Sequence, residues 1–113
     1  MRKSKINISG FKIGTAENRE GLTGVTVILA PDGGATAGVD VRGCAPGTRE
    51  TDLLDPRKTV QKIHAVVLSG GSAFGLEAAS GCVKYLAEQG VGFPIGNVCV
   101  PIVCSAVLFD LMI

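Results

Sequence analysis

Ile63-His64-Ala65-Val66-Val67-Leu68 is a continuous apolar run that ends at Ser69-Gly70-Gly71-Ser72 and leads into an amphipathic stretch from Ala73 to Gln89. An apolar run of this length, stopped by a glycine turn, suits a strand buried on both faces. In the stretch that follows, Leu76, Ala79 or Ser80, Val83 and Leu86 or Ala87 recur at the 3.6-residue period and predict a helix. Ser72 stands at the N-cap position, and Gly90 stands where the helix should stop. The small residues Gly75, Ala78, Ala79, Ser80 and Gly81 let such a helix approach a sheet closely. A strand, glycine turn and helix in this order point to the α/β class.

Toward the N-terminus, Phe11 to Ala16 reads as a short strand and Glu17 to Gly21 as a polar turn. Leu22 to Ala30 is rich in β-branched residues and is bounded by Pro31-Asp32-Gly33-Gly34, a turn sequence. Ala35 to Val41 then reads as the returning strand of a β-hairpin. Arg42 to Pro56 is long for a loop in a compact domain. It is either a solvated surface loop with a helical turn after Pro56, or a loop that lines a cleft or a subunit contact.

Toward the C-terminus, Val91 to Phe93 and Ile102 to Leu111 are further strands, and the apolar run from Val98 to Ile113 reads as buried. The run is interrupted by neither a cap nor a turn at Asp110-Leu111-Met112-Ile113. This favours an incomplete domain spanning 1–113, whose last strand would present an unpaired edge and make the chain poorly soluble.

With 113 residues there is room for one domain. A hydrophobic content of 46% against 19% charged residues excludes a disordered tail. Trp is absent and there is one Tyr, so a core must come from Val, Ile, Leu and Ala. The net charge is +1, and basic residues cluster only at Met1-Arg2-Lys3-Ser4-Lys5, which reads as a solvated terminus. No aromatics interleave with basic residues, which argues against nucleic acid as a partner. The basic start is not followed by an apolar leader core, and no stretch reaches the roughly 18 apolar residues of a membrane span. No membrane partner and a cytoplasmic location are therefore expected. Cys44, Cys82, Cys99 and Cys104 form no CxxC pair and His64 is the only histidine, so reduced thiols and no metal site are expected.

The turn at Gly70, Gly71 and Ser72 is the most chemical feature of the chain. Peptide N–H groups at the start of a helix can hold an anion or an oxyanion. No Gly-Lys-Ser/Thr follows, as a nucleoside-triphosphate loop requires, and glycines at 70, 71 and 75 do not match a dinucleotide fingerprint. Gly70 fits the first glycine of a nucleophile elbow around Ser72, but Phe74 stands in place of the second. Ser72 is thus either a plain cap or part of an anion-binding turn. His64 is a general base by type, but without an acidic partner at a suitable spacing it reads as structural.

Several segments resemble one family in order along the chain. They are Gly24-Val25-Thr26-Val27-Ile28-Leu29, Gly38-Val39-Asp40-Val41-Arg42-Gly43, and Ala45-Pro46-Gly47-Thr48-Arg49-Glu50-Thr51. His64-Ala65-Val66-Val67-Leu68 with Gly70-Gly71-Ser72-Ala73-Phe74-Gly75-Leu76 follows, and then Val100-Pro101-Ile102-Val103 with Ala106-Val107-Leu108-Phe109-Asp110. Together they resemble the DmpA, or L-aminopeptidase/D-esterase, family of self-processing hydrolases. The resemblance implies an αββα sandwich similar to the N-terminal-nucleophile hydrolase (ornithine acetyltransferase-like) fold, with this chain as the N-terminal part, or α-fragment, of a longer precursor. It implies cleavage before a Ser or Thr downstream of Ile113, which becomes the nucleophile, and no cofactor. It also implies a β-fragment partner, a homo-oligomer, and small peptide, amide or ester substrates with a free amino end. Relatives carry a Tyr hydroxyl near the oxyanion where Phe109 stands here, and a Glu for the substrate amine where Val107 stands. Gly70, Gly71, Ser72 and Phe109 are therefore the candidates for a pocket wall or oxyanion site, in a chain expected to be inactive by itself. The alternative is a catalytically inactive paralogue that serves as a binding or assembly module.

Overall fold

In a computed structural model, which describes residues 7–113, Ala65–Ser69 forms the central strand of a mixed sheet. The strands in chain order are β1 (Lys12–Asn18), β2 (Thr23–Leu29), β3 (Thr48–Arg49), β4 (Ala65–Ser69), β5 (Phe93–Ile95), β6 (Val98–Val100) and β7 (Val103–Val107). One α-helix, α1 (Ala78–Glu88), lies between β4 and β5. The main sheet runs β1-β2-β4-β7-β3, and β5 pairs with β6 as a separate two-stranded ribbon. β4 and β7 are parallel and the other neighbours are antiparallel. The chain is a small α/β unit, as the strand–turn–helix order at Ile63 to Gln89 indicates. The basic cluster at Met1 to Lys5 lies outside the described residues.

Alternation along the strands sorts the side chains between two faces. Ala65 and Val67 of β4 and Val103 of β7 point at Ala79, Cys82 and Leu86 of α1, and these make one buried cluster. Val25, Val27 and Leu29 of β2 pack at its margin. Val67 and Val103 are wholly buried, so each contributes on the order of 1.5–3 kcal/mol of transfer free energy. On the opposite face, Ile63, Ile102 and Cys104 form a second cluster, covered by Leu53, Leu54, Val60 and Ala37. That cover is partial. Leu68 of β4 and Ile13 of β1 point to the same face, opposite α1, and remain 46% and 45% exposed.

The helix is shorter than the periodicity predicts. Residues Ser72–Glu77 are a 3-10 helix, and α-helical bonding begins only at Ala78. Ser72 is not a side-chain cap: its φ is +51° and its hydroxyl caps no helical N–H. Within these first turns the backbone passes so close to the glycine turn that a Cβ at Gly75 would strike the carbonyl of Gly70. Gly90 does stop the helix, at φ +68°. Its N–H bonds to the Ala87 carbonyl at 3.0 Å, and that of Val91 bonds to Leu86 at 3.0 Å, a Schellman ending.

The hairpin partner differs from the expected one. Ala35 to Val41 does not return along β2, and only Ala35 pairs, in an isolated bridge to Ile63. Both edges of β2 are already taken, one by β1 and the other by β4. Gly33 and Gly34, at φ +86° and +84°, send the chain across to Ile63 instead. The Arg42–Pro56 segment contains β3 and a 3-10 turn at Asp52–Leu54. Val91 to Phe93 is replaced by the β5–β6 ribbon, which closes through Gly96-Asn97 with Gly96 at φ +57°. Val98 onward is not one strand, since the buried Pro101 and Ile102 separate β6 from β7. β7 is also no exposed edge. It is paired on one side with β4 and on the other with β3, so the expected unpaired strand is interior to the sheet.

Candidate functional site

The turn after β4 is built from peptide groups that already have acceptors. Gly70 N–H donates to the Gly24 carbonyl at 2.9 Å, and Ser72 N–H donates to the Leu108 carbonyl at 2.9 Å. Gly71 N–H donates to Asp110 Oδ1 at 2.6 Å. The other oxygen, Asp110 Oδ2, accepts from the Thr23 hydroxyl at 2.7 Å. Leu108 N–H returns a bond to the Ser69 carbonyl at 2.8 Å. The residues just past β7 are thereby laced to the turn, and the anion that the turn holds is the chain's own Asp110 carboxylate. The Thr23 hydroxyl and then the Gly71 N–H hold that carboxyl below its ordinary pKa.

Glycine is required at this junction by space and by backbone. A Cβ on Gly70 would collide with the Asp110 carboxylate and the Thr23 hydroxyl. Gly71 has φ +86°, and Ser72 follows at φ +51° in the left-handed region that non-glycine residues avoid, at a cost of about 1–3 kcal/mol. The Ser69 hydroxyl donates to the Gly75 carbonyl at 2.8 Å and ties the 3-10 segment down over the strand end.

A cleft of about 910 Å³ opens beside this junction, between the β1–β2 hairpin and the ends of β4 and β7. Gly70, Asp110, Thr23, Ser69 and Leu108 line it, with Glu17 and Arg19 at its rim. Gly71 is tied to it through Asp110. Phe109 does not line it and is 68% exposed, while Val107 is half-buried and pairs with Ser69 on the face toward α1. Asp110 and Thr23 are the partners that sequence reading missed. They lie 87 positions apart, and nothing local marks either one.

His64 is buried, and its Nδ1 accepts from the Ile102 N–H at 3.1 Å. The backbone N–H of His64 donates to the Ile102 carbonyl at 2.8 Å, and burial lowers the pKa of the imidazole. His64 thereby joins the segments that enter β4 and β7. Cys82 and Cys104 are buried and Cys44 is exposed. Burial, with Glu50 nearby, pushes the Cys104 thiol up to about 11. Among the described residues no three His, Cys, Asp or Glu side chains gather as a metal cluster. No helix among them is long and apolar enough to cross a membrane. The Arg42–Pro56 segment does line a cleft, of about 730 Å³, through Thr51 to Pro56. There Asp55 is held near 2 by the Arg57 guanidinium, 2.6 Å away.

The chain is 54% identical over 88 residues to an uncharacterized aminopeptidase of Mycobacterium tuberculosis, covering 78% of this chain and 25% of the relative. It is 53% identical over 90 residues to one of Mycobacterium leprae, covering 80% and 25%. It is 36% identical over 106 residues to a 6-aminohexanoate-oligomer endohydrolase of Kocuria, covering 94% and 27%. The chain thus spans about a quarter of the length of these curated relatives. The sequence pattern of peptidase family S58 matches residues 5–113, and the chain belongs to that family.

Proposed function

We propose that this chain is the N-terminal portion of a self-processing hydrolase of the aminopeptidase and amidase type, acting on short peptides, amides or esters with a free amino end. The observation that carries this reading is the ordered identity to aminopeptidases and to an amide-oligomer endohydrolase across 78–94% of the chain. In this reading the nucleophile is a Ser or Thr encoded downstream of Ile113 and freed by autocleavage. Its hydroxyl adds to the substrate carbonyl while its own α-amine takes the proton and passes it to the leaving amine, and water then releases the acyl group. The half-covered sheet face with Leu68 and Ile13 would receive a second sheet, completing an αββα sandwich. Gly70, Gly71 and Ser72 would form one wall of the pocket. Their N–H groups are engaged by Gly24, Asp110 and Leu108, so the wall would shape the pocket more than donate to an oxyanion.

The test is the intact mass of the protein expressed from its complete gene, followed by hydrolysis of aminoacyl-p-nitroanilides. Two masses that sum to the precursor, together with hydrolysis, are expected. A single uncleaved mass without hydrolysis would favour the second reading, an inactive paralogue used for assembly. That reading is motivated by Val107 and Phe109 standing where the family resemblance implies a Glu and a Tyr. It predicts a defined oligomer in light scattering.

A further inference from the structure

His64 is the chain's only histidine and is 6% exposed. Its Nδ1 accepts the Ile102 N–H at 3.1 Å, so the proton of the neutral ring sits on Nε2. Burial lowers the pKa and favours that neutral form. Nε2–H is then a donor, and among the described residues it has no acceptor. Ser105 Oγ is the one unbonded side-chain nitrogen or oxygen among those residues that is sealed from solvent, so Nε2 stays open to its surroundings.

The ring lines a cleft of about 610 Å³. Its Cδ2–Nε2 edge lies against the turn that follows β2, since a Cβ at Gly34 would stand 3.6 Å from His64 Cδ2. Asp32 of that turn also lines the cleft, as do Val91, Phe93 and Pro94. Lys62 joins them, its own Cβ 3.1 Å from the same point at Gly34. Among the described residues the Lys62 ammonium has no acidic partner.

These groups define what the cleft can hold. A ring nitrogen that carries its proton can only donate, so it calls for an oxygen acceptor and not a metal ion. The unpaired ammonium beside it calls for negative charge. An ionised carboxylate answers both, with one oxygen for His64 and the other for Lys62, and hydrogen bonds to a charged acceptor are the stronger kind. Val91, Phe93 and Pro94 offer apolar surface to a short hydrocarbon tail, the combination of a few polar groups with apolar walls that small-molecule sites use. Asp32 repels a second negative charge, so a monoanion fits and a phosphate dianion does not.

We propose that His64 and Lys62 form a binding site for the carboxylate of a small apolar acid. The carboxylate belongs either to a free short-chain acid or to a peptide C-terminus with an apolar last residue. The site lies where the chain enters β4, whereas the Asp110 cleft lies where β4 ends, at Ser69 and Gly70. It does not depend on the acyl-transfer reading.

The test follows the imidazole resonances of the 15N-labelled chain, in which a single histidine needs no assignment. Sodium 3-methylbutanoate is titrated against sodium chloride at equal ionic strength and neutral pH. A saturable shift at Nε2 with 3-methylbutanoate is expected, and none with 3-methylbutanamide, which keeps the shape without the charge, or with inorganic phosphate. Lys62→Met should weaken the acid about tenfold, the size of one hydrogen bond to a charged group. Lys62 is exposed, so the thermal midpoint of that variant without the acid should match wild type, which separates loss of the ligand from loss of the fold. N-acetyl-leucine distinguishes the sources: binding at least tenfold tighter than 3-methylbutanoate points to a peptide C-terminus, and equal or weaker binding points to a free acid. A non-saturating shift that chloride reproduces, amide or phosphate binding as tight as the acid, or an affinity unchanged in Lys62→Met would overturn the proposal.

Discussion

Asp110 Oδ1 lies 2.6 Å from the backbone nitrogen of Gly71, so the residues just past the last strand are fastened to the turn that opens the helical layer. The same carboxylate takes the Thr23 hydroxyl, which joins the start of β2 to that fastening. Three segments far apart in the chain therefore meet at one charged group. Its folded pKa is depressed, so its contribution to stability is fully present above the unfolded value of about 3.9 and is lost as pH falls through the folded value. Acid titration followed by circular dichroism should show Asp110→Asn less sensitive than wild type between about pH 4 and pH 2. Identical acid limbs in the two proteins would remove Asp110 from this role.

Two glycines make opposite predictions for the same substitution. Gly70→Ala drives a methyl into the Asp110 carboxylate and the Thr23 hydroxyl, and overpacking of this kind costs about 1–3 kcal/mol. Gly81 lies within α1 and has open space where a Cβ would sit, so Gly81→Ala should stabilise by about 0.5–1 kcal/mol. Urea denaturation of the two variants measures both signs.

Leu86 is 4% exposed and joins α1 to Val67 and Val103 in the core. Leu86→Ala should cost about 2–5 kcal/mol in the same denaturation experiment. Tyr85, one position earlier, is 52% exposed, and Tyr85→Ala should cost well under half as much.

Thiol reactivity should follow burial. Cys44 is exposed and should react with a chromogenic disulfide reagent first, while Cys82 and Cys104 stay protected in the folded chain. The Cys104 pKa of about 11 leaves almost no thiolate at neutral pH. Reaction of all four cysteines at one rate would contradict this packing.

Phe109 is 68% exposed, so Phe109→Tyr should change stability by no more than about 0.5 kcal/mol. In the protein from the complete gene, the proposed function predicts a gain in aminoacyl-p-nitroanilide hydrolysis from the added hydroxyl. Unchanged turnover would show that Phe109 stands outside the reacting centre.

The sequence by itself determined the α/β class, the central strand at Ile63 to Leu68, the helix face of Ala79 and Leu86, the stop at Gly90 and the family. Each of these rests on local periodicity, local backbone preference or ordered similarity, and each is legible in consecutive residues. Tertiary structure alone decided that Ala35 to Val41 leaves the sheet, that β7 is interior, and that the Gly70-Gly71-Ser72 turn begins a 3-10 helix. It also decided that the turn's N–H groups are filled by Gly24, Asp110 and Leu108. Those outcomes depend on which strand edge is already occupied and on which distant side chain arrives. Hydrogen bonds between residues 87 positions apart leave no periodic trace in a single sequence.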